Sequence, residues 1–332
     1  MRVVAGKYRG RKLTPPSDNS VRPTTDRIKE TLFNVVQFDV SNARVLDLFA
    51  GSGALGIECI SRGAAEVVFV DRSRDSISLI NQNLRGIDGS FKVVASDFLG
   101  ALRNAFVGGK KFDLIFIDPP YASDLGEIAI NTILELDLLS EYGKIIYEHG
   151  ADKKFELSDG RYKVRTKVMG TVTAEFISKK SIAMMTGSFD PVTKGHEGVL
   201  DEALRRYDEV ILACLVNPDK QYAFTNEERL ALASELCKYK KGARAIFSEE
   251  YAVEVAKREG ATVLVRGIRS DDDRAYEEEM AAYNKEHGFD TVFIEIDSFR
   301  DVSSTKVREQ ISGGDYSNIP SCLVEMIRQM KK

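Results

Sequence analysis

The sequence predicts two α/β domains in succession, each a doubly wound, Rossmann-like fold. Three observations carry this expectation. The chain is 332 residues long, about twice the size of a common domain. Apolar runs of strand length alternate with longer runs of helical periodicity, the pattern of parallel sheets covered by helices. The alternation breaks at a hairpin-like pair of segments around Gly170 and restarts beyond Lys179-Lys180. Domains over residues 1–180 and 181–332 follow. With 43% hydrophobic and 30% charged residues the composition is that of a globular chain and not of a disordered or collagenous one. The longest uninterrupted apolar run, Val210 to Val216, is far short of the roughly 18 residues a membrane span needs. Met1-Arg2 leads into no apolar targeting segment, so a soluble, cytoplasmic protein without a membrane partner is expected.

In the first half, strands are expected over Arg44 to Phe49, Glu66 to Asp71, Phe91 to Ala95, Phe112 to Asp118 and Lys144 to Glu148. Helices fall between them, over Ala54 to Arg62, Arg74 to Leu84, Phe98 to Phe106 and Leu125 to Leu139. Tyr162 to Val168 and Val172 to Ser178 then read as a hairpin that closes the sheet edge. In the second half the expected order is strand Ser181 to Thr186, helix Gly195 to Tyr207, strand Glu209 to Val216 and helix Thr225 to Tyr239. It continues through Arg244 to Phe247, Tyr251 to Arg258, Thr262 to Val265, Asp273 to His287 and Thr291 to Ile296, and ends with helices from Ser304 and Pro320.

Four scattered cysteines and three histidines form neither a CxxC pair nor a metal-ligand spacing. No protein-held metal is expected. Charge is divided unevenly: residues 1–180 carry 26 Lys+Arg against 23 Asp+Glu, and residues 181–332 carry 21 against 28. The first half could therefore meet a polyanion, and the second is unsuited to one. Met1 to Lys12 adds basic residues and no acid, which reads as a solvated arm or as a phosphate contact.

Chemistry is written most clearly in Asp47-Leu48-Phe49-Ala50-Gly51-Ser52-Gly53-Ala54-Leu55-Gly56, a Gly-rich turn between a strand and a helix. Glycines there let the backbone approach a ligand closely. Asp71, at the end of the next strand, could accept hydrogen bonds from ribose hydroxyls, and the pattern alone does not separate a dinucleotide from S-adenosylmethionine. Asp118-Pro119-Pro120-Tyr121 makes the separation. Methylating an exocyclic amine requires acceptors for the amine's hydrogens, which Asp118 and the Pro119 carbonyl could supply, with Tyr121 stacked on the base. The alternative for this tetrapeptide is a rigid turn.

These motifs, with Val3 to Leu13, Arg22-Pro23-Thr24-Thr25-Asp26-Arg27 and Ser61-Arg62-Gly63-Ala64, make residues 1–180 resemble the bacterial small-subunit (16S) rRNA guanine-N2 methyltransferase family. The resemblance implies S-adenosylmethionine as methyl donor, held by Asp47, Gly51, Gly53, Asp71 and Asp97. It implies catalysis by Asp118, Pro119 and Tyr121, and contact with the rRNA or its assembly intermediate through Lys7, Arg9, Arg11, Arg22 and Arg27. For Asp97 the plain alternative is a helix N-cap beside Phe98.

A second phosphate-directed turn, Gly187-Ser188-Phe189-Asp190-Pro191-Val192-Thr193-Lys194-Gly195-His196, follows a strand and opens a helix. His196 sits where backbone N–H groups and the helix dipole favour phosphate, and nucleotidyl transfer needs positioning and charge neutralisation more than covalent chemistry. Lys220, Arg266-Gly267-Ile268-Arg269 and Ser303-Ser304-Thr305 all fall at carboxyl ends of expected strands or at helix starts. Residues 181–330 are similar to phosphopantetheine adenylyltransferase. That similarity implies catalysis by His196, with 4′-phosphopantetheine held by Ser188, Lys220, Ala252 and Arg266. It implies ATP, with Mg2+, held by Ser188, Phe189, His196, Gly267, Arg269, Glu277, Phe299, Ser303, Ser304 and Thr305, and a homo-oligomer, a hexamer, through this half. Asp271-Asp272-Asp273 reads as a solvated acidic helix start. The competing readings are one inactive half serving as an RNA-binding or oligomerising module, adenine in DNA as the first half's target, and nicotinamide mononucleotide as the second half's substrate.

Overall fold

The computed structural model describes residues 1–16, 26–120, 123–218, 220–268, 271–296 and 302–330, except for the side chains of 271–273 and 276. Tyr121, Arg22, Arg269 and Phe299, all named above, lie outside the described residues. The chain divides into two compact units, Met1–Lys179 and Lys180–Lys332. Both are α/β units with parallel-dominated sheets.

The first unit runs α1 (Asp26–Val35), β1 (Arg44–Asp47), α2 (Ala54–Ser61), β2 (Glu66–Asp71), α3 (Arg74–Leu84), β3 (Phe91–Ala95), α4 (Phe98–Val107), β4 (Phe112–Ile117), α5 (Leu125–Glu135), β5 (Leu139–Gly150), β6 (Tyr162–Met169) and β7 (Val172–Lys179). Its sheet has the order β3-β2-β1-β4-β5-β7-β6. Strands β3 to β5 are parallel and the β6–β7 hairpin joins antiparallel. Central strands are apolar on both faces because both faces are covered. Val45, Phe69, Leu114 and Phe116 pack with α1, α2 and α3, while Leu46, Ile115 and Ile117 pack with α4 and α5. Gly56 is required by this packing: a Cβ there would stand 2.2 Å from Phe69 Cε1.

Two boundaries differ from expectation. The helix expected to reach Leu139 stops at Glu135, because Asp137 takes a left-handed φ of 48°. The released Leu138 and Leu139 are buried, and β5 begins at Leu139 opposite Phe112, with a register shift before Lys144 pairs Leu114. Arg22 and Arg27 read in the sequence as surface charge at a helix start, and the structure gives that helix, α1, its bounds, Asp26–Val35.

The N-terminal basic segment is docked on the unit and not a solvated arm. An isolated bridge joins Arg2 and Lys12, and Val3 and Leu13 are buried. The backbone N–H groups of Val4 and Ala5 donate to Glu58 at 2.8 and 2.9 Å. Glu58 also pairs with Lys29 at 3.4 Å and Arg62 at 2.9 Å, the Glu58 and Lys29 side chains being fully buried. Lys29 reaches the Arg2 carbonyl as well, so α1, α2 and the segment close on one carboxylate.

The second unit runs β8 (Ile182–Gly187), α6 (Lys194–Arg206), β9 (Glu209–Leu215), α7 (Asn226–Lys238), β10 (Ala243–Ser248), α8 (Ala252–Glu259), β11 (Val263–Ile268), α9 (Asp271–Glu286), β12 (Thr291–Glu295), α10 (Ser304–Ser312), a 3-10 turn (Ser321–Leu323) and α11 (Val324–Met330). Its sheet, β10-β9-β8-β11-β12, is parallel throughout. Both α6 and α7 start with capping boxes, from Thr193 and Thr225. No helix among the described residues is long and apolar enough to cross a membrane.

The Glu58 cluster yields a stability test. Glu58→Ala strands the buried Lys29 ammonium and two backbone donors, and should destabilise the first unit by about 3–5 kcal/mol. Hydrogen exchange across residues 26–62 would register it. Asp88→Ala, which cuts the exposed Lys7 pair, should leave the same protection nearly unchanged.

Candidate functional site

Among its parallel strands each sheet reverses its order once, and the open crevice of such a sheet lies at the carboxyl ends of the strands flanking that reversal. In the first unit these are β1 and β4, ending in Asp47 and leading into Asp118. Past β1 the chain turns with left-handed φ of 53° at Gly51 and 76° at Gly53, a conformation glycine adopts without penalty. Two carboxylates fix this turn. Asp71 Oδ2 accepts from Gly51 N–H at 2.9 Å while its Oδ1 accepts from Ser73 N–H at 2.8 Å. Asp47, only 2% exposed, accepts from Gly56 N–H at 2.9 Å.

Burial pushes the Asp47 carboxyl up to about 7, aided by Asp118 and Asp71 and opposed by the Gly56 N–H. Asp118 is half-buried and Pro119 buried beside it. Asp97 caps α4, accepting from Gly100 N–H at 2.9 Å, and is exposed at the same sheet edge, where Phe49 and Phe98 stack at 5.4 Å. The structure thus brings Asp47, Gly51, Gly53 and Asp71 into one turn, with Asp118 across the switch point.

The basic residues are more dispersed. Lys7 pairs with Asp88 at 3.0 Å. Arg11 donates to the carbonyls of Asn83, Arg85 and Gly86, where α3 ends, a placement suited to a cation at a helix C-terminus. Arg9 and Arg27 are exposed.

In the second unit the reversal lies between β8 and β11. Thr193 caps α6, and its N–H donates to His196 Nδ1 at 3.1 Å. A backbone donor on Nδ1 leaves the imidazole proton on Nε2 in the neutral ring, so Nε2 is a donor. The Phe189 ring, buried, meets His196 edge-on at 5.1 Å. The start of α10 joins this turn: Ser304 Oγ donates to the Pro191 carbonyl at 3.3 Å, and Arg308 bonds the Asp190 carbonyl at 2.8 Å and its carboxylate at 3.1 Å. Ser303 caps α10 and Thr305 accepts from Arg308 at 3.0 Å.

Arg266 spans the switch point. Its Nη1 donates to the Thr186 carbonyl at 2.6 Å and hydroxyl at 2.8 Å, and its Nε and Nη2 meet both Glu277 oxygens at 2.7 and 2.5 Å. The residue expected on phosphopantetheine and the one expected on ATP are therefore partners. Gly267 lets β11 approach α6, since a Cβ would lie 2.8 Å from Val199 Cγ2. Lys220 is exposed after β9, and Ala252 opens α8. Among the described residues no group of acidic, His or Cys side chains is assembled to hold a metal.

Two residues here carried no signal in the sequence. Arg229, fully buried on α7, donates to the Ser188 carbonyl at 2.7 Å and the Leu215 carbonyl at 3.2 Å, and lies over the Tyr222 ring. Glu148, at the end of β5, is 2% exposed.

Comparison with known proteins follows the same division. The family described as conserved hypothetical protein 95 matches residues 1–178, and the family described as cytidylyltransferase-like matches residues 184–310. A Bacillus subtilis protein with a provisional rRNA methyltransferase name is 39% identical over 161 residues, 48% of this chain and 86% of that protein. Ribosomal RNA small subunit methyltransferase D of Escherichia coli is 33% identical over 183 residues, 54% of this chain and 91% of that protein. A solved Escherichia coli structure, provisionally titled a methyltransferase, superposes with a TM-score of 0.49 at 33% identity, covering 54% of this chain and 97% of its own.

The raised Asp47 carboxyl gives a pH test. Its folded value of about 7 lies above the ordinary 3.8, so it contributes stability that is complete below pH 4 and lost as pH rises through 7. Asp47→Asn keeps an acceptor for Gly56 N–H without a charge to bury. Relative to the unaltered chain, the variant should be more stable at pH 8 than at pH 4, as urea midpoints at the two pH values would report.

Proposed function

The chain belongs, through residues 1–178, to the family described as conserved hypothetical protein 95, and from that premise we propose a bifunctional enzyme. Its first unit transfers a methyl group from S-adenosylmethionine to the exocyclic amine of a guanine in small-subunit rRNA. Its second transfers the adenylyl group of ATP to 4′-phosphopantetheine, giving dephospho-coenzyme A and pyrophosphate. The observation that carries the first reading is the meeting of the Asp71-fixed glycine turn with Asp118 at one switch point, in a chain whose relatives are named as rRNA methyltransferases.

The donor's ribose would lie against Asp71, whose carboxylate keeps lone pairs beyond the two it commits to backbone. Asp97 would turn its second oxygen to the adenine amine. Asp118 and the Pro119 carbonyl would accept the target amine's hydrogens, aiming the nitrogen lone pair at the methyl carbon. The nitrogen–carbon bond forms as the sulfur–carbon bond breaks, the thioether leaves, and the surplus amine proton passes to Asp118. Tyr121 is proposed as the stacking residue, and Lys7, Arg9, Arg11, Arg22 and Arg27 as phosphate contacts.

For the second unit, support comes from the cytidylyltransferase-like match and from the His196 Nε2 donor at the α6 N-terminus. Charge builds on the α-phosphate as the phosphopantetheine phosphate attacks and pyrophosphate departs; His196 and the helix N-terminus would stabilise it. Ser188, Lys220, Ala252 and Arg266 are proposed on the phosphopantetheine side. Phe189, Gly267, Arg269, Glu277, Phe299, Ser303, Ser304 and Thr305 are proposed on the ATP side, with Mg2+ carried by the ATP phosphates. Assembly as a hexamer through this unit and a cytoplasmic setting belong to the same proposal.

Asp118→Ala should remove methyl transfer to small-subunit rRNA while leaving S-adenosylmethionine affinity nearly intact, and Asp71→Ala should weaken S-adenosylmethionine binding. Labelled-methyl transfer and calorimetry separate the two. A residual rate within about tenfold for Asp118→Ala, ~1.4 kcal/mol of barrier, contradicts its role. His196→Ala should lower pyrophosphate release at least about a hundredfold with little change in ATP affinity, the pattern of an interaction made in the transition state.

A further inference from the structure

The edge that carries Asp118 holds another carboxyl, which the transfer step leaves unused. Strands β4 and β5 pair Ile117 with Tyr147, so the next register position sets Asp118 beside Glu148. Strand β1 pairs Asp47 with Phe116. Because side chains alternate along a strand, Asp47, Asp118 and Glu148 share one face of three adjacent strands. Asp47 is committed to Gly56 N–H. Glu148 is 98% buried, and among the described residues its Oε1 has no hydrogen-bond partner. Its cross-strand neighbour on β7 is Ala174, which brings no polar side chain.

A buried, partnerless carboxyl oxygen is costly, and its persistence at a sheet edge beside Asp118 points to a partner that arrives with the substrate. Burial first, then the charges of Asp118 and Asp47, hold Glu148 well above the usual carboxylate range. In its protonated form such a group has an O–H that donates and a C=O that accepts. That pair of functions complements an amide edge. Guanine presents such an edge, N1–H and O6, next to its 2-amine; adenine presents a bare N1 next to its 6-amine. The 2-amine and O6 flank N1–H at a spacing comparable with that of adjacent strands, about 4.8 Å.

We propose that Glu148 reads the acceptor base, pairing its carboxyl with N1–H and O6 of a guanine whose 2-amine lies against Asp118. The inference rests on the methyl-transfer reading and extends it to base selection.

The test uses the intact chain, S-adenosylmethionine and unmethylated small-subunit rRNA, with the modified position mapped by mass spectrometry. The same RNA is then prepared by ligation with 2-aminopurine at that position, a base that keeps the 2-amine and lacks N1–H and O6. The unaltered chain should prefer guanine by at least about tenfold in kcat/KM. Glu148→Ala should bring the preference close to one, whereas Glu148→Gln, which retains an acceptor and a donor, should keep it. Calorimetry with S-adenosylmethionine checks that each variant has its donor pocket; if Glu148→Ala lacks it, the apolar, similarly sized Glu148→Met replaces it. Preference retained by Glu148→Ala or Glu148→Met, or lost equally in Glu148→Gln, overturns the role of Glu148. An unaltered chain that methylates no guanine in this rRNA overturns the functional reading itself, and this inference with it.

Discussion

Parallel strands deliver all their carboxyl ends to one sheet edge, and the side chains that meet at each switch point depend on that constraint. In the first unit β1, β2 and β4 bring Asp47, Asp71 and Asp118 to a common edge across 71 positions of sequence. In the second, β8 and β11 bring the Ser188–His196 turn and Arg266 together in the same way. The covering helices lie in close contact with the strands: α2 can approach β2 only because position 56 lacks a Cβ, and α6 can approach β11 only because position 267 lacks one. A packing requirement and a site requirement thus meet in the same glycines.

The two sites solve the charge problem differently. The edge of the first unit concentrates carboxyls, and burial raises Asp47 and Glu148 above the usual carboxylate range. The nucleotidyl site concentrates donors: the α6 N-terminus, His196 Nε2 and the Arg266 fork. Arg266 is held by Glu277 and Thr186. A phosphate bound by Arg266 would exchange internal hydrogen bonds for external ones, with a smaller net contribution than from a free guanidinium.

Much of this was legible in the sequence, because local signals agree with the fold. Helix α3 has the bounds read from periodicity, Arg74 to Leu84, with Ser73 as its cap. Strands β2 and β3 also match residue for residue. What escaped was set by distant partners. Helix α1 carries Lys29 inward, and no helical stripe announces a buried lysine until Glu58 is known to face it. The basic segment before it reads as solvated unless Val3 and Leu13 are seen to be buried. Leu139 reads as the end of a helix because an apolar residue fits either element, and the left-handed Asp137 decides the matter. Arg229 looks like an ordinary charge on an amphipathic helix, yet its guanidinium holds the Ser188 turn. The glycine and proline motifs were readable for the opposite reason: their chemistry resides in the backbone they impose.

The central claim is that one chain carries two complete sites, each built at the edge of its own sheet. It is tested most directly by assaying a single preparation of the intact protein for both reactions: labelled methyl transfer from S-adenosylmethionine to unmethylated small-subunit rRNA, and pyrophosphate release from ATP with 4′-phosphopantetheine. The account predicts turnover in both assays, with the methyl group recovered on a guanine amine and the adenylyl group on phosphopantetheine. Turnover in only one of them, or methyl recovered on adenine, would contradict it.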